Sequence, residues 1–169
     1  VIYFGDGITE EVESPPNEYF SWCRGDDNKH LCTDGLTKEG KKWLQDHDDI
    51  LVFPIGVKII KNCETGKNNC ESFSGVNIDA IIINNSVDVS ANFSGTSEKH
   101  ITINVIKIDG GKLSNSIFRY TDVKNLVIGN ASNIQIGQHT FSNSNVDNFK
   151  IEKGSFSWYG FQLAKIGTL

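Results

Sequence analysis

The architecture follows from the hexapeptide VKNLVI at residues 123–128, because three other segments share its spacing of apolar residues. Each segment has apolar residues at its first, fourth and sixth positions, and the last two point to one face of a β-strand. The four segments are Ile78-x-x-Ile81-x-Ile83, Ile103-x-x-Ile106-x-Ile108, Val123-x-x-Leu126-x-Ile128 and Val146-x-x-Phe149-x-Ile151. Their first residues lie 25, 20 and 23 positions apart (103 − 78, 123 − 103, 146 − 123), a period typical of stacked repeats.

A phenylalanine follows three of the four segments at a similar distance. Phe93 and Phe118 lie 15 positions after the first residue of their segments (93 − 78, 118 − 103), and Phe141 lies 18 positions after (141 − 123). A single turn of such a coil cannot bury its own apolar side, whereas stacked turns form one continuous core. The pattern therefore predicts a repeat solenoid with a parallel β-sheet. An ordinary β-sandwich with evenly spaced short strands is the alternative.

Length and composition restrict the class of protein. The 169 residues suffice for one domain, or for one domain with a small cap. The net charge of −5 argues against a nucleic-acid partner, which favours a basic face. No apolar run approaches the roughly 18 residues that a membrane-spanning helix needs. The chain contains no Met, and we interpret it as a mature or trimmed product.

The four cysteines, at Cys23, Cys32, Cys63 and Cys70, predict two disulfides. Three connectivities are possible, and we predict Cys23–Cys32 with Cys63–Cys70, because both bonds close short loops. A zinc site is the competing interpretation, although the spacing of usual zinc motifs is missing. Three Asn-x-Ser/Thr sequons, at Asn84, Asn92 and Asn130, favour glycosylation in an oxidising, secretory environment.

The first part of the chain differs in pattern from the repeats. Residues 37–48 predict a short helix with Thr37 as its N-cap. Residues 50–61 alternate apolar and other side chains, which predicts a strand that Pro54 restricts to an edge or a start. We therefore predict an N-terminal cap, residues 1–75, with two disulfides and one short helix. Residues 76–169 are the predicted repeat array of about four turns.

The segment at residues 123–128, followed by Ile134, Ile136 and Phe141, resembles a leucine-rich repeat of an irregular, Ile- and Val-rich kind. That family has apolar residues at the first, fourth and sixth positions and a Phe near the far end of each repeat. The resemblance covers roughly residues 78–160. A parallel β-helix remains the alternative fold.

The resemblance implies a recognition surface made of the side chains that point outward from the parallel sheet. These side chains mix Lys, Asp, Asn and aliphatic groups without one sign of charge, which suits a protein partner better than a polyanion. The predicted contact residues are Asp79, Ile82, Asn104, Lys107, Asp109, Lys124, Val127, Lys150 and Glu152.

Three functions are consistent with these features. The first is a secreted or extracellular protein-binding or structural recognition module, and the second is a self-assembling matrix or surface component. The third is a parallel β-helix enzyme acting on a polysaccharide, for which Asp109 and Glu152 would lie about 10 Å apart, two turns along the stack. No phosphate-binding loop, nucleophile elbow or cluster of histidines occurs in the sequence, so it predicts no catalytic residue, metal or other cofactor.

Overall fold

The computed structural model describes most of the chain. The exceptions are residues 1, 4–8, 11–12, 24–29, 55, 63–72, 74–75, 84–86, 130–133 and 155–157. The described strands are β1 (Ile2–Tyr3), β2 (Thr9–Glu10), β3 (Phe20–Trp22), β4 (Cys32–Leu36), β5 (Ile50–Val52), β6 (Ile59–Ile60), β7 (Ala80–Ile83), β8 (Val87–Val89), β9 (Ile101–Ile108), β10 (Gly111–Leu113), β11 (Thr121–Ile128), β12 (Ile134–Ile136), β13 (Asn145–Ile151) and β14 (Lys165–Thr168). The helix is α1 (Lys38–Asp46).

The chain forms a parallel β-solenoid of about five turns, which confirms the predicted architecture. From β4 to β13 it alternates between two six-stranded sheets, with one strand of each turn in each sheet, and β14 then follows β13 within the second sheet. The first sheet has the order β12-β10-β8-β6-β4-β3, and the second has the order β14-β13-β11-β9-β7-β5. Within these two sheets only β3 pairs antiparallel, with β4. Alternation of this kind stacks equivalent residues of successive turns.

The apolar segments align in register across the second sheet, as the sequence predicts. Ile83, Ile108, Ile128 and Ile151 are paired neighbours on adjacent parallel strands. A second inward column consists of Leu51, Ile81, Ile106, Leu126 and Phe149. These columns lie in the main hydrophobic core, where almost every member is fully buried.

Seven phenylalanines form a continuous series of ring contacts through the same core, which we call the phenylalanine stack, and the last four rings are nearly parallel. They are Phe20, Phe53, Phe73, Phe93, Phe118, Phe141 and Phe161, and consecutive ring centroids lie 4.8–5.9 Å apart. All seven rings are buried. The spacing from each segment to its Phe predicted three members, and stacking of the turns brings the other four into line with them.

Residues 1–75 share both sheets with the repeats, because β5 pairs with β7 and β6 pairs with β8. The predicted role of these residues as a cap stays a prediction. The helix begins after Thr37, whose hydroxyl accepts a hydrogen bond from the Gly40 N–H at 3.0 Å, as the N-cap prediction requires. The predicted single strand over residues 50–61 is wrong, because β5 and β6 belong to different sheets and the chain turns between them.

The Cys23–Cys32 disulfide is present and joins the end of β3 to the start of β4. Cys63 and Cys70 lie outside the described residues, so their pairing stays a prediction. Among the described helices, none is long and apolar enough to cross a membrane.

Candidate recognition surface

The structure divides the nine predicted contact residues by exposure. Asp79, Lys124, Lys150 and Glu152 are exposed, and Asn104 and Asp109 are half-buried. Ile82, Val127 and Lys107 are only 2, 5 and 8 % exposed. The expectation that these last three side chains are open to solvent is therefore wrong.

A second hydrophobic cluster explains the burial on the outward face of the second sheet. It consists of Ile50, Val52, Ala80, Ile82 and Val105, which alternate along their strands with the inward columns. Strands buried on both faces have uninterrupted apolar runs instead of alternation. The sequence contains this signal in Ile50-Leu51-Val52 and in Ala80-Ile81-Ile82-Ile83. The outward face is consequently apolar and covered in the N-terminal turns.

One outward column is buried from β5 to β11 and becomes exposed only at β13. Val52, Ile82, Lys107, Val127 and Lys150 are successive neighbours in this column, and only Lys150 is exposed. The next outward column contains Asn125 and Asn148, whose amides are linked by a hydrogen bond of 3.2 Å from Asn148 Nδ2 to Asn125 Oδ1. Amide ladders of this kind fix the register between parallel strands.

We call the exposed part of this sheet the C-terminal outer face. It lies on β11 and β13 and at the end of β13, and its exposed members are Lys124, Asp147, Asn148, Lys150 and Glu152. Two ammonium groups and two carboxylates give it no net charge. The face therefore has the mixed polarity that the sequence predicted, but over fewer turns.

A polar cluster that the sequence analysis missed lies at the start of the same strands. The imidazole Nδ1 of His100 is 2.9 Å from Oδ1 of Asp122, and Nδ2 of Asn145 donates to the same oxygen at 2.6 Å. Asp122 and Asn145 each directly precede an apolar segment and are paired in register. This position, directly before an apolar segment in two successive repeats, is the sequence feature that could have revealed the cluster. The cluster ties three successive turns together beside the C-terminal outer face.

The half-buried carboxyl of Asp109 has a perturbed pKa. Burial raises the pKa of Asp109 above its ordinary value of 3.8, the Lys107 ammonium acts to lower it, and the Glu152 carboxylate acts to raise it. The net effect is a raised pKa, because desolvation of the carboxylate outweighs the attraction of the lysine.

We expect the Asp109→Asn variant to be more stable than the unmodified protein at pH 7, with the difference disappearing in acid. The folded protein binds the Asp109 proton more tightly than the unfolded chain does. The stability that this proton contributes is present below the unfolded pKa of Asp109 and is lost as pH rises through the folded pKa. Urea unfolding of both proteins between about pH 3 and pH 7 would measure the difference. In Glu152→Gln the loss should be smaller and should end at lower pH, because the folded pKa of Asp109 then lies nearer to its unfolded value. A difference between the Asp109 proteins that does not change with pH would contradict this account.

The structure describes only one of the three predicted glycosylation sites. Asn84 and Asn130 lie outside the described residues. Asn92 is exposed, and its Oδ1 accepts hydrogen bonds from the Ser94 N–H at 2.8 Å and the Ser94 hydroxyl at 2.5 Å. Attachment of a sugar at Asn92 stays a prediction.

The fold places the chain in the class of parallel β-solenoid proteins. Comparison with protein-family models, curated proteins and solved structures finds no significant match. Among the described residues, no three His, Cys, Asp or Glu side chains come together in a way that could hold a metal ion. The C-terminal outer face is the candidate site.

Proposed function

We propose that this protein is an extracellular recognition module that binds another protein through the C-terminal outer face. The observation that carries the proposal is the exposure of Lys124, Asp147, Lys150 and Glu152 on adjacent parallel strands, in a sheet whose N-terminal part is buried. Parallel strands hold such side chains at fixed spacing, so a partner meets a surface that is already organised.

The dimensions of the face limit the strength of the contact. A strand of seven residues is about 23 Å long, and two neighbouring strands are about 10 Å wide, so the C-terminal outer face on β11 and β13 covers roughly 200–250 Å². A stable complex usually buries about 800 Å² on each partner. We therefore propose that the partner also contacts the turns that flank the sheet, or binds transiently.

An extracellular location is supported by two features. The Cys23–Cys32 disulfide is of a kind that persists in oxidising environments. The exposed Asn92 lies in a sequon on the surface, where a sugar could be attached without disturbing the buried Phe93.

We further propose that the solenoid is leucine-rich-repeat-like. The unequal strands support this, since β9, β11 and β13 in the second sheet have seven or eight residues, whereas β8, β10 and β12 in the first have three. The alternative, a parallel β-helix, is supported by the fact that the short strands also form a continuous parallel sheet.

Reversal of the two exposed lysines of the face tests the function. We expect Lys124→Glu with Lys150→Glu to weaken partner binding at least tenfold, because like charges brought together across an interface cost several kcal/mol. A photo-cross-linker placed at position 150 would first capture the partner from extracellular fluid. The dissociation constant of the purified pair would then be measured by calorimetry.

The matched control is Lys58→Glu with Lys112→Glu, an equal change of charge at two exposed lysines in and beside the first sheet. It should leave the affinity unchanged. Equal weakening by both double variants would assign the effect to overall charge and remove the C-terminal outer face from the proposal.

Self-association is a second candidate, favoured by two exposed leucines beside the outermost described strand of the second sheet. Leu163 and Leu169 flank β14 and are 81 and 75 % exposed. A strand with one unpaired side can accept a second copy of the chain. Sedimentation at increasing concentration would detect the assembly, and Leu163→Asp should abolish it. A monomer at all concentrations would remove this candidate.

A further inference from the structure

A polar groove of about 370 Å³ lies between three successive turns of the solenoid. It is bordered by Asn62, by the segment 90–95 after β8 and by the segment 115–120 after β10. Its volume lies in the range of ordinary small-ligand sites, roughly 300–1,000 Å³. The groove shares no residue with the C-terminal outer face.

Amide and hydroxyl groups dominate the lining. Three asparagines and three serines contribute to it: Asn62, Asn92, Asn115, Ser90, Ser94 and Ser116. Among the described residues that line the groove, Arg119 is the only charged one. This lining offers many hydrogen bonds and one positive charge, and its described residues supply no carboxylate to balance that charge.

The Arg119 guanidinium makes few contacts with the protein. One Nη atom donates to the Tyr120 hydroxyl at 3.3 Å, and the guanidinium carbon lies 4.8 Å from the centre of the Tyr120 ring. The Nε atom is buried and has no hydrogen-bond acceptor. A guanidinium has five N–H donors in a planar fork that matches an oxyanion. The group is therefore held against Tyr120 while most of its donor capacity remains unused.

Backbone hydrogen bonds keep the groove in one shape. The Phe93 N–H donates to the Ile117 carbonyl at 2.8 Å, and the Gly95 N–H donates to the Arg119 carbonyl at 3.0 Å. The Asn92 N–H donates to the Asn62 side-chain oxygen at 2.9 Å. The three turns are thus fixed to one another before any ligand arrives, which reduces the ordering that binding would require.

We propose that this groove binds an acidic saccharide, with a carboxylate or sulfate group on Arg119 and the sugar hydroxyls on the surrounding Asn and Ser side chains. The charge balance of the lining favours an anion. The surrounding amides and hydroxyls both donate and accept hydrogen bonds, as a polyhydroxylated ligand requires. The overall charge of −5 opposes an anion at long range, so selectivity rests on the direct contact with Arg119.

The test is a titration with four probes at equal, low ionic strength. These are an oligosaccharide of a uronic acid, a sulfated oligosaccharide and a neutral oligosaccharide, all of one length, and inorganic sulfate. The protein is produced in a host that adds no N-glycan, because a sugar on Asn92 would cover one side of the groove. We expect at least one acidic oligosaccharide to bind roughly tenfold or more tightly than both the neutral one and inorganic sulfate, with NMR shifts centred on residues 92–95 and 115–120.

Variants assign the effect to the guanidinium. Arg119→Gln should weaken acidic binding roughly tenfold or more, and Arg119→Lys should weaken it less, because charge remains but the planar fork is lost. Lys112→Gln is the matched control, since it removes one exposed positive charge outside the groove, and it should bind normally. Unfolding midpoints check that the variants fold. If Arg119→Gln does not fold, the binding of Arg119→Lys decides whether the guanidinium is part of the site.

Five results would overturn the proposal. Equal binding of the neutral oligosaccharide would refute the role of charge, and equal binding of inorganic sulfate would refute the role of the sugar. Unchanged binding by both Arg119 variants, or equal loss in Lys112→Gln, would remove Arg119 from the site. Absence of binding by all four probes would reject the site altogether.

Discussion

Replacement of Phe118 by Ala is expected to lower the free energy of unfolding by about 3–5 kcal/mol. The Phe118 ring is fully buried and lies in the middle of the phenylalanine stack. Its centroid is 5.6 Å from that of Phe93 and 5.2 Å from that of Phe141, with interplanar angles of 14° and 11°. Its removal leaves a cavity that neighbouring turns cannot fill, because their backbones are held in register by two sheets.

Urea unfolding followed by circular dichroism would measure the loss. Leu163→Ala serves as the control, since this side chain is 81 % exposed, and it should change the stability by less than about 0.5 kcal/mol. A double-mutant cycle between Phe118 and Phe141 should show a coupling of about 0.5–1.5 kcal/mol. A loss of under about 1 kcal/mol in Phe118→Ala would mean that the stack contributes little to stability.

Gly111→Ala should destabilise the protein by about 2–6 kcal/mol, because two separate costs add at this position. Gly111 has a φ of +105°, where a side chain adds backbone strain of about 1–3 kcal/mol. A Cβ there would also overlap the backbone of Val87, its paired neighbour on β8. Overpacking typically costs a further 1–3 kcal/mol, roughly. Neither the added Cβ nor the Val87 backbone can move aside without separating β8 from β10.

Gly56 provides a closely matched control for this experiment. Its φ is +99°, but a Cβ built there meets no atom within 4 Å. Gly56→Ala should therefore show the backbone strain alone, and the difference between the two variants measures the overlap with Val87. Equal unfolding midpoints for the two variants would show that the close approach of β8 and β10 is not rigid.

The repeat itself could be predicted because it is a local pattern of apolar residues that occurs four times in the sequence. The spacing of Ile103, Ile106 and Ile108, and its recurrence near residues 81, 126 and 149, requires only that equivalent positions stack. The Thr37 N-cap was equally predictable, since capping involves atoms three residues apart. These features depend on neighbours in sequence or on a simple repetition of them.

The strand over residues 50–61 shows where local periodicity fails. Alternation of apolar residues continues through Pro54, yet Ile50–Val52 and Ile59–Ile60 belong to different sheets. Phe53 and Val57 stay buried on either side of the corner, so the pattern looks unbroken there while the chain changes direction, but the next alternating residue, Ile59, is 40 % exposed. Periodicity reports which side of the chain is buried, and it does not report the direction of the chain.

The candidate sites depended most on the tertiary structure. Lys107 has the residue type of a surface contact, but its neighbours Ile82 and Val127 in the same column leave it only 8 % exposed. Arg119 showed no sequence signal at all. Its groove exists because residues 62, 92 and 116 are brought together from three turns.

The amino-acid sequence by itself therefore determined that the chain coils into stacked turns, which residues form the inward columns, and how one helix begins. Only the tertiary structure decided which outward residues meet solvent and which polar groups surround Arg119. The physical reason is that burial of a repeated apolar face is settled by spacing along the chain. Exposure of the opposite face depends on which other segments of the chain pack against it.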